Sequence, residues 1–249
     1  MNLLLGRRMV VAAAAVVAAM AGCQDPPPPT APRGTAPGVG RSTDGWRDTF
    51  AVERANLVPT GGSEYFPLEP GRVSTLRAGD ETLTITVLAQ TRVVDGVTTR
   101  VVEEREEKGG QLKEVSRNLF AADRETGDVY YFGEEVDIYR DGRVVGHEGA
   151  WLAGVNGARF GLFMPARPTV GDGFYQEIAP GVAMDRAEIV SVDERLTTPA
   201  GTFERCVRLK ETTPLDRGVS HKWFAPGVGL IKDDGCVLVQ RGTTKQPSP

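Results

Sequence analysis

Residues 81–108 read ETLTITVLAQTRVVDGVTTRVVEEREEK. Leu83, Ile85, Val87 and Ala89 fall on one side of an extended chain, and Thr82, Thr84 and Thr86 fall on the other. Period-two alternation of β-branched residues is the pattern of a half-buried strand. Asp95-Gly96 then interrupts it. Both residue types tolerate the positive φ of a two-residue hairpin turn, so the stretch folds back on itself. An antiparallel hairpin is the unit from which the rest of the chain is built.

The same grammar recurs in both directions. Gly109-Gly110 separates the second strand from QLKEVSRNLFAA, and Thr126-Gly127-Asp128 leads into VYYFGEEVDIY. Asp141-Gly142 leads into RVVGHEGAW. Further on, RAEIVSVDERL and TFERCVRLKE flank Pro199-Ala200-Gly201, and the chain closes with SHKWFA, PGVG, LIKD and CVLVQR. Frequent turn signals without a long 3.6-residue period predict an all-β antiparallel meander. About ten or eleven strands are expected, as a curled sheet, a half-barrel or a barrel, with little helix beyond a short one near Asp48–Asn56. Gly154 to Gly173 is rich in Gly and Pro and reads as a long excursion between sheet halves.

The N-terminus is of a different kind. Arg7 and Arg8 precede a short apolar run, Met9 to Met20, which is a signal peptide and too short for a membrane span. Ala19-Met20-Ala21-Gly22-Cys23 resembles the bacterial lipobox, which implies acylation of the Cys23 thiol. Gln24 to Arg41 reads QDPPPPTAPRGTAPGVGR, an extended, solvated spacer. The expected organisation is a lipoprotein signal peptide (1–22), a Pro/Gly-rich tether (23–45), a single all-β domain (46–242) and a tail (243–249). By resemblance to lipoprotein sorting in Gram-negative bacteria, Gln24 after the Cys implies the outer membrane. The remaining cysteines, Cys206 and Cys236, lie in an exported domain, where an even remainder suggests one disulfide.

Composition removes several functions. The 249-residue chain has 33 acidic against 29 basic residues, the opposite of a nucleic-acid binder. Two histidines, His147 and His221, leave little room for histidine chemistry. There is no G-x-S-x-G, P-loop, G-x-G-x-x-G after a strand, C-x-x-C or H-E-x-x-H. No catalytic residue, metal site or cofactor is expected, and the protein reads as a non-enzyme.

What remains is aromatic or acidic. Trp151, Phe160, Phe163, Met164 and Tyr175, with Phe174, bracket the Gly/Pro-rich excursion. They are candidates to line an apolar ligand hollow, against the alternative that they close the core. Glu134, Glu177 and Asp185 would support an enzyme acting on envelope polymers only if they converge in a cleft. The run Glu103 to Lys108 reads as a solvated hairpin end.

Four segments together carry a resemblance: DVYYFGEEVDIY, EGAWLAGVNGARFGLFMPARPTVGDGFYQEIAPGVAMDRAEIV, PAGTFERCVRLKETTP and HKWFAPGVGLIKD. They resemble a widespread family of exported bacterial proteins of unknown function. That family has a GNVWYFGE-like strand and a YAPGVGLV-like hairpin, and the likeness runs from about Tyr65 to Gln240. Tyr130 stands where Trp is usual and Phe224 where Tyr is usual. The resemblance implies an exported β-protein, similar in strand pattern to the curled half-barrels of lipoprotein carriers and receptors, and transfers no catalytic residue. The expected function is therefore that of a membrane-anchored envelope lipoprotein that binds a hydrophobic ligand or an envelope protein partner. The alternative is a structural or assembly module with no small-molecule ligand.

Overall fold

A computed structural model describes residues 40–244; the expected signal peptide, Cys23, most of the expected tether and residues 245–249 of the expected tail lie outside the described residues. Eleven strands of five or more residues carry the architecture. They are β1 (Arg72–Ala78), β2 (Glu81–Val94), β3 (Val97–Lys108), β4 (Gln111–Asp123), β5 (Val129–Arg140), β6 (Arg159–Met164), β7 (Arg186–Thr198), β8 (Gly201–Thr212), β9 (Val219–Ala225), β10 (Gly229–Asp233) and β11 (Cys236–Thr243). Short segments of two to four residues raise the main sheet to 18 strands, more than the ten or eleven expected. The short helix expected near Asp48 to Asn56 is one 3-10 turn, Arg54–Asn56.

Apart from β6 and β7, the long strands pair antiparallel with their chain neighbours. The quoted hairpin joins β2 to β3 with Val94 opposite Val97, and Asp95 and Gly96 both take positive φ, 48° and 76°. Such mirror-image turns match the right-handed twist of the flanking strands. The first long strand, β1, pairs with the last, β11, which ties the two ends of the meander together. The sheet is mixed rather than purely antiparallel, because Phe174 pairs parallel with Arg47.

The two flanks of the sheet, β6 and β7, meet at one seam. Residues 173–175 pair with β7 and residues 177–178 pair with β6, so one extended segment serves both flanks. At the switch between them, the N–H groups of Gln176 and Glu177 both donate to the Asp185 carbonyl, at 2.8 and 3.3 Å. No continuous ladder crosses the seam, and the sheet curls without closing into a barrel. The Gly/Pro-rich excursion is thus not a plain loop, since it contributes β6, which pairs with β5.

The register of β2 against β3 shifts between Val87 and Thr91. There the carbonyls of Leu88, Ala89 and Gln90 accept from the Arg100 guanidinium, which also donates to Pro59. Arg100 is only 5% exposed, and burial lowers its proton affinity. A single arginine fork thereby satisfies the carbonyls that a bulge removes from the ladder.

The expected disulfide is absent. Cys206 lies on β8 and Cys236 on β11, with β9 and β10 between them in the sheet. Strands lie about 4.8 Å apart, whereas a disulfide requires Cα atoms within about 7 Å. Both cysteines are buried thiols, and burial pushes the Cys206 thiol up to about 11.

Candidate functional site: an acidic lumen and an adjoining groove

The concave face of the sheet is set by alternation along the strands. Cross-strand partners share a face, so the pairs Glu104–Ser116, Asn118–Glu134 and Val136–Ser116 put these side chains together. On the other flank, Val207–Phe224, Leu209–Lys222 and Glu211–Ser220 do the same. The concavity holds a cavity of about 130 Å³. Phe66, Phe120, Phe163 and Phe224 form its apolar wall. Glu104, Glu114, Glu134, Glu148, Glu177 and Asp185 line the rest, together with Lys222.

Tyr131 joins the two halves. Its ring stacks on Phe120 with centroids 4.6 Å apart, and its hydroxyl donates to Asn118 Oδ1. Asn118 Nδ2 donates in turn to Ser116 Oγ at 3.2 Å and to the Val102 carbonyl at 3.4 Å. Burial, followed by the fields of Glu134, Glu177, Glu104 and Asp185, holds the phenol well above its usual range. Four carboxyl groups from separate segments therefore converge electrostatically on one ring.

The same crowding acts among the acids. Burial, then Asp185 and Glu134, push the Glu177 carboxyl well up, opposed by Lys222. Burial, then Glu211, raise Asp185 to about 6, again against Lys222 and a hydrogen bond from Thr213. Lys222 Nζ lies 2.7 Å from Glu211 Oε2, while Glu211 Oε1 is buried without a hydrogen-bond partner. In the lumen, burial and mutual repulsion thus favour the protonated forms of Glu177 and Asp185, a pattern of perturbed acids in a cleft.

A larger groove of about 480 Å³ adjoins the lumen and shares Glu134 and Val136 with it. Trp151, Leu152, Val155, Ala158, Ala179, Pro180 and Val182 make its apolar surface. Arg117, Glu135, Asp137 and His147 add charge. Arg117 Nη1 and His147 Nδ1 each lie 3.1 Å from an Asp137 oxygen. Trp151 is 6% exposed, and its indole nitrogen is buried without a partner.

The aromatic candidates separate. Phe163 lies in the lumen and Trp151 in the groove, and each touches Tyr131, at centroid distances of 5.9 and 5.4 Å. Phe160 and Met164 alternate with Phe163 along β6 and fall on its other face. There Phe160 stacks on Phe132 at 4.8 Å, and Met164 is wholly buried. Tyr175 is elsewhere: its hydroxyl donates to Asp44, which also holds Arg186 at 2.7 Å. Phe174 is fully buried in the core.

The three acidic candidates come together. Glu134, Glu177 and Asp185 line one lumen. Glu104, within the run read as a solvated hairpin end, lines it as well, because it follows Val102 on the inward face of β3. Glu114, Glu148, Glu211, Lys222 and the Tyr131–Asn118 pair were not singled out by sequence. A polar residue interrupting an inward-facing apolar row was the available signal.

No family model matches this chain, and no curated protein does. Among solved structures, a putative lipoprotein from Parabacteroides distasonis is similar at 13% identity and a TM-score of 0.36, over 74% of this chain and 100% of the other.

Proposed function

We propose that the protein is a lipid-anchored envelope protein, held to the membrane through Cys23, whose curled sheet binds a small apolar ligand in the groove beside Trp151. The observation that carries this reading is the buried, unpartnered indole N–H of Trp151 in a largely apolar groove of about 480 Å³. An unsatisfied buried donor costs about 1–3 kcal/mol, and a ligand oxygen reaching it on a small shift of the ring would supply the missing acceptor. The lipobox-like segment at 19–23 and the Pro-rich spacer support the anchor and tether.

Native mass spectrometry of the purified full chain tests the ligand. The wild type should retain an apolar molecule, and Trp151→Phe, which keeps the ring and removes the donor, should retain about tenfold less. Equal retention by both proteins would refute the assignment.

The convergence of Glu134, Glu177 and Asp185 favours one second reading, a carboxylate-dependent enzyme acting on envelope polymers. Turnover of isolated cell-wall polymer by the wild type but not by Glu177→Gln would establish it, and no turnover would dismiss it.

A further inference from the structure

We infer that the protein's own tether occupies the Trp151 groove when no ligand is bound, with the Pro26–Pro29 run laid against the indole. This rests on the groove reading above and adds its regulation: a ligand must displace a segment of the same chain.

Chemical match is the first argument. The groove wall is largely apolar, and the indole N–H of Trp151 finds no acceptor among the described residues. Its complement is an apolar segment that brings acceptors and no donors. Proline has a backbone carbonyl and no N–H, so Pro26-Pro27-Pro28-Pro29 is four consecutive residues of that kind. Their fixed φ favours the polyproline II conformation before docking, which lowers the entropy cost. Aromatic-lined grooves take proline-rich segments in this mode. One carbonyl would accept from the indole on the same small shift of the ring that a ligand requires.

Position is the second argument, and it is independent of the first. The described chain begins at Gly40, which pairs with Thr49. The neighbouring Asp48 holds Arg159, whose Nη1 donates to its carbonyl at 3.2 Å and whose Nη2 lies 3.6 Å from its carboxylate. Arg159 follows Ala158, which lines the groove. The tether thus leaves the domain one strand pairing and one ion pair from the groove's edge. Pro29 lies 11 residues before Gly40. At about 3.1 Å per residue such a stretch reaches ~34 Å, enough to bring the Pro run back to the groove.

The test uses the full chain with isotope-labelled tryptophans, read by NMR in an uncharged maltoside detergent. The protein is first washed until native mass spectrometry shows no retained small molecule. It is compared with a variant carrying Pro26→Gly, Pro27→Gly, Pro28→Gly and Pro29→Gly, all outside the described residues. The Trp151 indole signal, assigned by its loss in Trp151→Phe, should move in the glycine variant, while that of Trp223 on β9 stays in place. The synthetic peptide QDPPPPTAPR should return it toward the wild-type position. With a tether effective concentration on the order of 1 mM and a peptide Kd of about 100 μM, the wild type should bind the peptide about tenfold more weakly than the variant. An indole signal unmoved by the glycines, or a variant that ignores the peptide, overturns the inference. So does a wild-type signal that shifts on dilution, because a second copy's tether is then the occupant. The two readings fail separately. No docking here, with Trp151-dependent ligand retention before washing, removes the tether and leaves the ligand; docking here, with no molecule ever retained, does the reverse.

Discussion

The backbone of Gly161 lies against that of Gln176 so closely that a β-carbon on the glycine would sit 2.4 Å from the Gln176 carbonyl oxygen. This is the seam, where β6 meets the segment shared with β7. The Tyr175 carbonyl would be 2.5 Å from the same β-carbon, so the obstruction is backbone and cannot rotate away. Gly161→Ala should therefore destabilise the domain by on the order of 3 kcal/mol, by forcing the two flanks apart. Urea denaturation checks this, and a loss under about 0.5 kcal/mol would show that the seam is not a tight joint.

Arg100 makes a second stability prediction. Replacing it with Met keeps a long apolar stem but leaves the carbonyls of Pro59, Leu88, Ala89 and Gln90 without their guanidinium donor. The cost should be about 3–5 kcal/mol, since each buried acceptor left open is expensive. Arg100→Lys should recover only part of it, because one ammonium lacks the planar fork. Denaturant midpoints of the three proteins decide the matter.

The lumen makes stability depend on pH. Asp185 titrates at about 6 in the folded protein against an ordinary 3.8, so between those values the folded chain holds a proton that the unfolded chain has lost. Stability should fall as pH rises from about 4 to about 6 and level off above, by on the order of 3 kcal/mol from this group. Glu177, raised by the same burial and by Asp185 and Glu134, extends the effect to higher pH. Asp185→Asn should be more stable than the wild type at neutral pH and should flatten the profile. Melting temperatures across this range test it, and a wild-type profile that rises with pH would contradict the burial of these acids.

The anchor is testable without the fold. Cys23→Ser should abolish metabolic labelling with a radioactive fatty acid and release the protein from the membrane fraction. Labelling that persists in the variant would place the lipid on another residue.

The sequence carried the strand content for a local physical reason. Alternation of Leu83, Ile85 and Val87 with threonines, and Asp95-Gly96 at positive φ, are properties of adjacent residues. The expected membrane address and tether rest on equally local signals, at 19–23 and in the Pro run. The fate of Cys206 and Cys236 was not, because two intervening strands separate them and strand order is set by long-range pairing. Nor was the division of the aromatic candidates, since Phe160 and Phe163 are only three residues apart but belong to opposite faces of β6.

The acids show the limit most clearly. Glu104, Glu134, Glu177 and Asp185 are ordinary surface residues when each is read with its neighbours alone. Curling the sheet turns the inward rows of several strands toward one Tyr131 hydroxyl, and only then do burial and mutual repulsion perturb Glu177 and Asp185. Alternation and turn chemistry act over a few residues and are legible in the chain. Electrostatic environment depends on which distant strands share a concavity, and that was decided by the tertiary pairing of β1 with β11 and by the seam at Gly161.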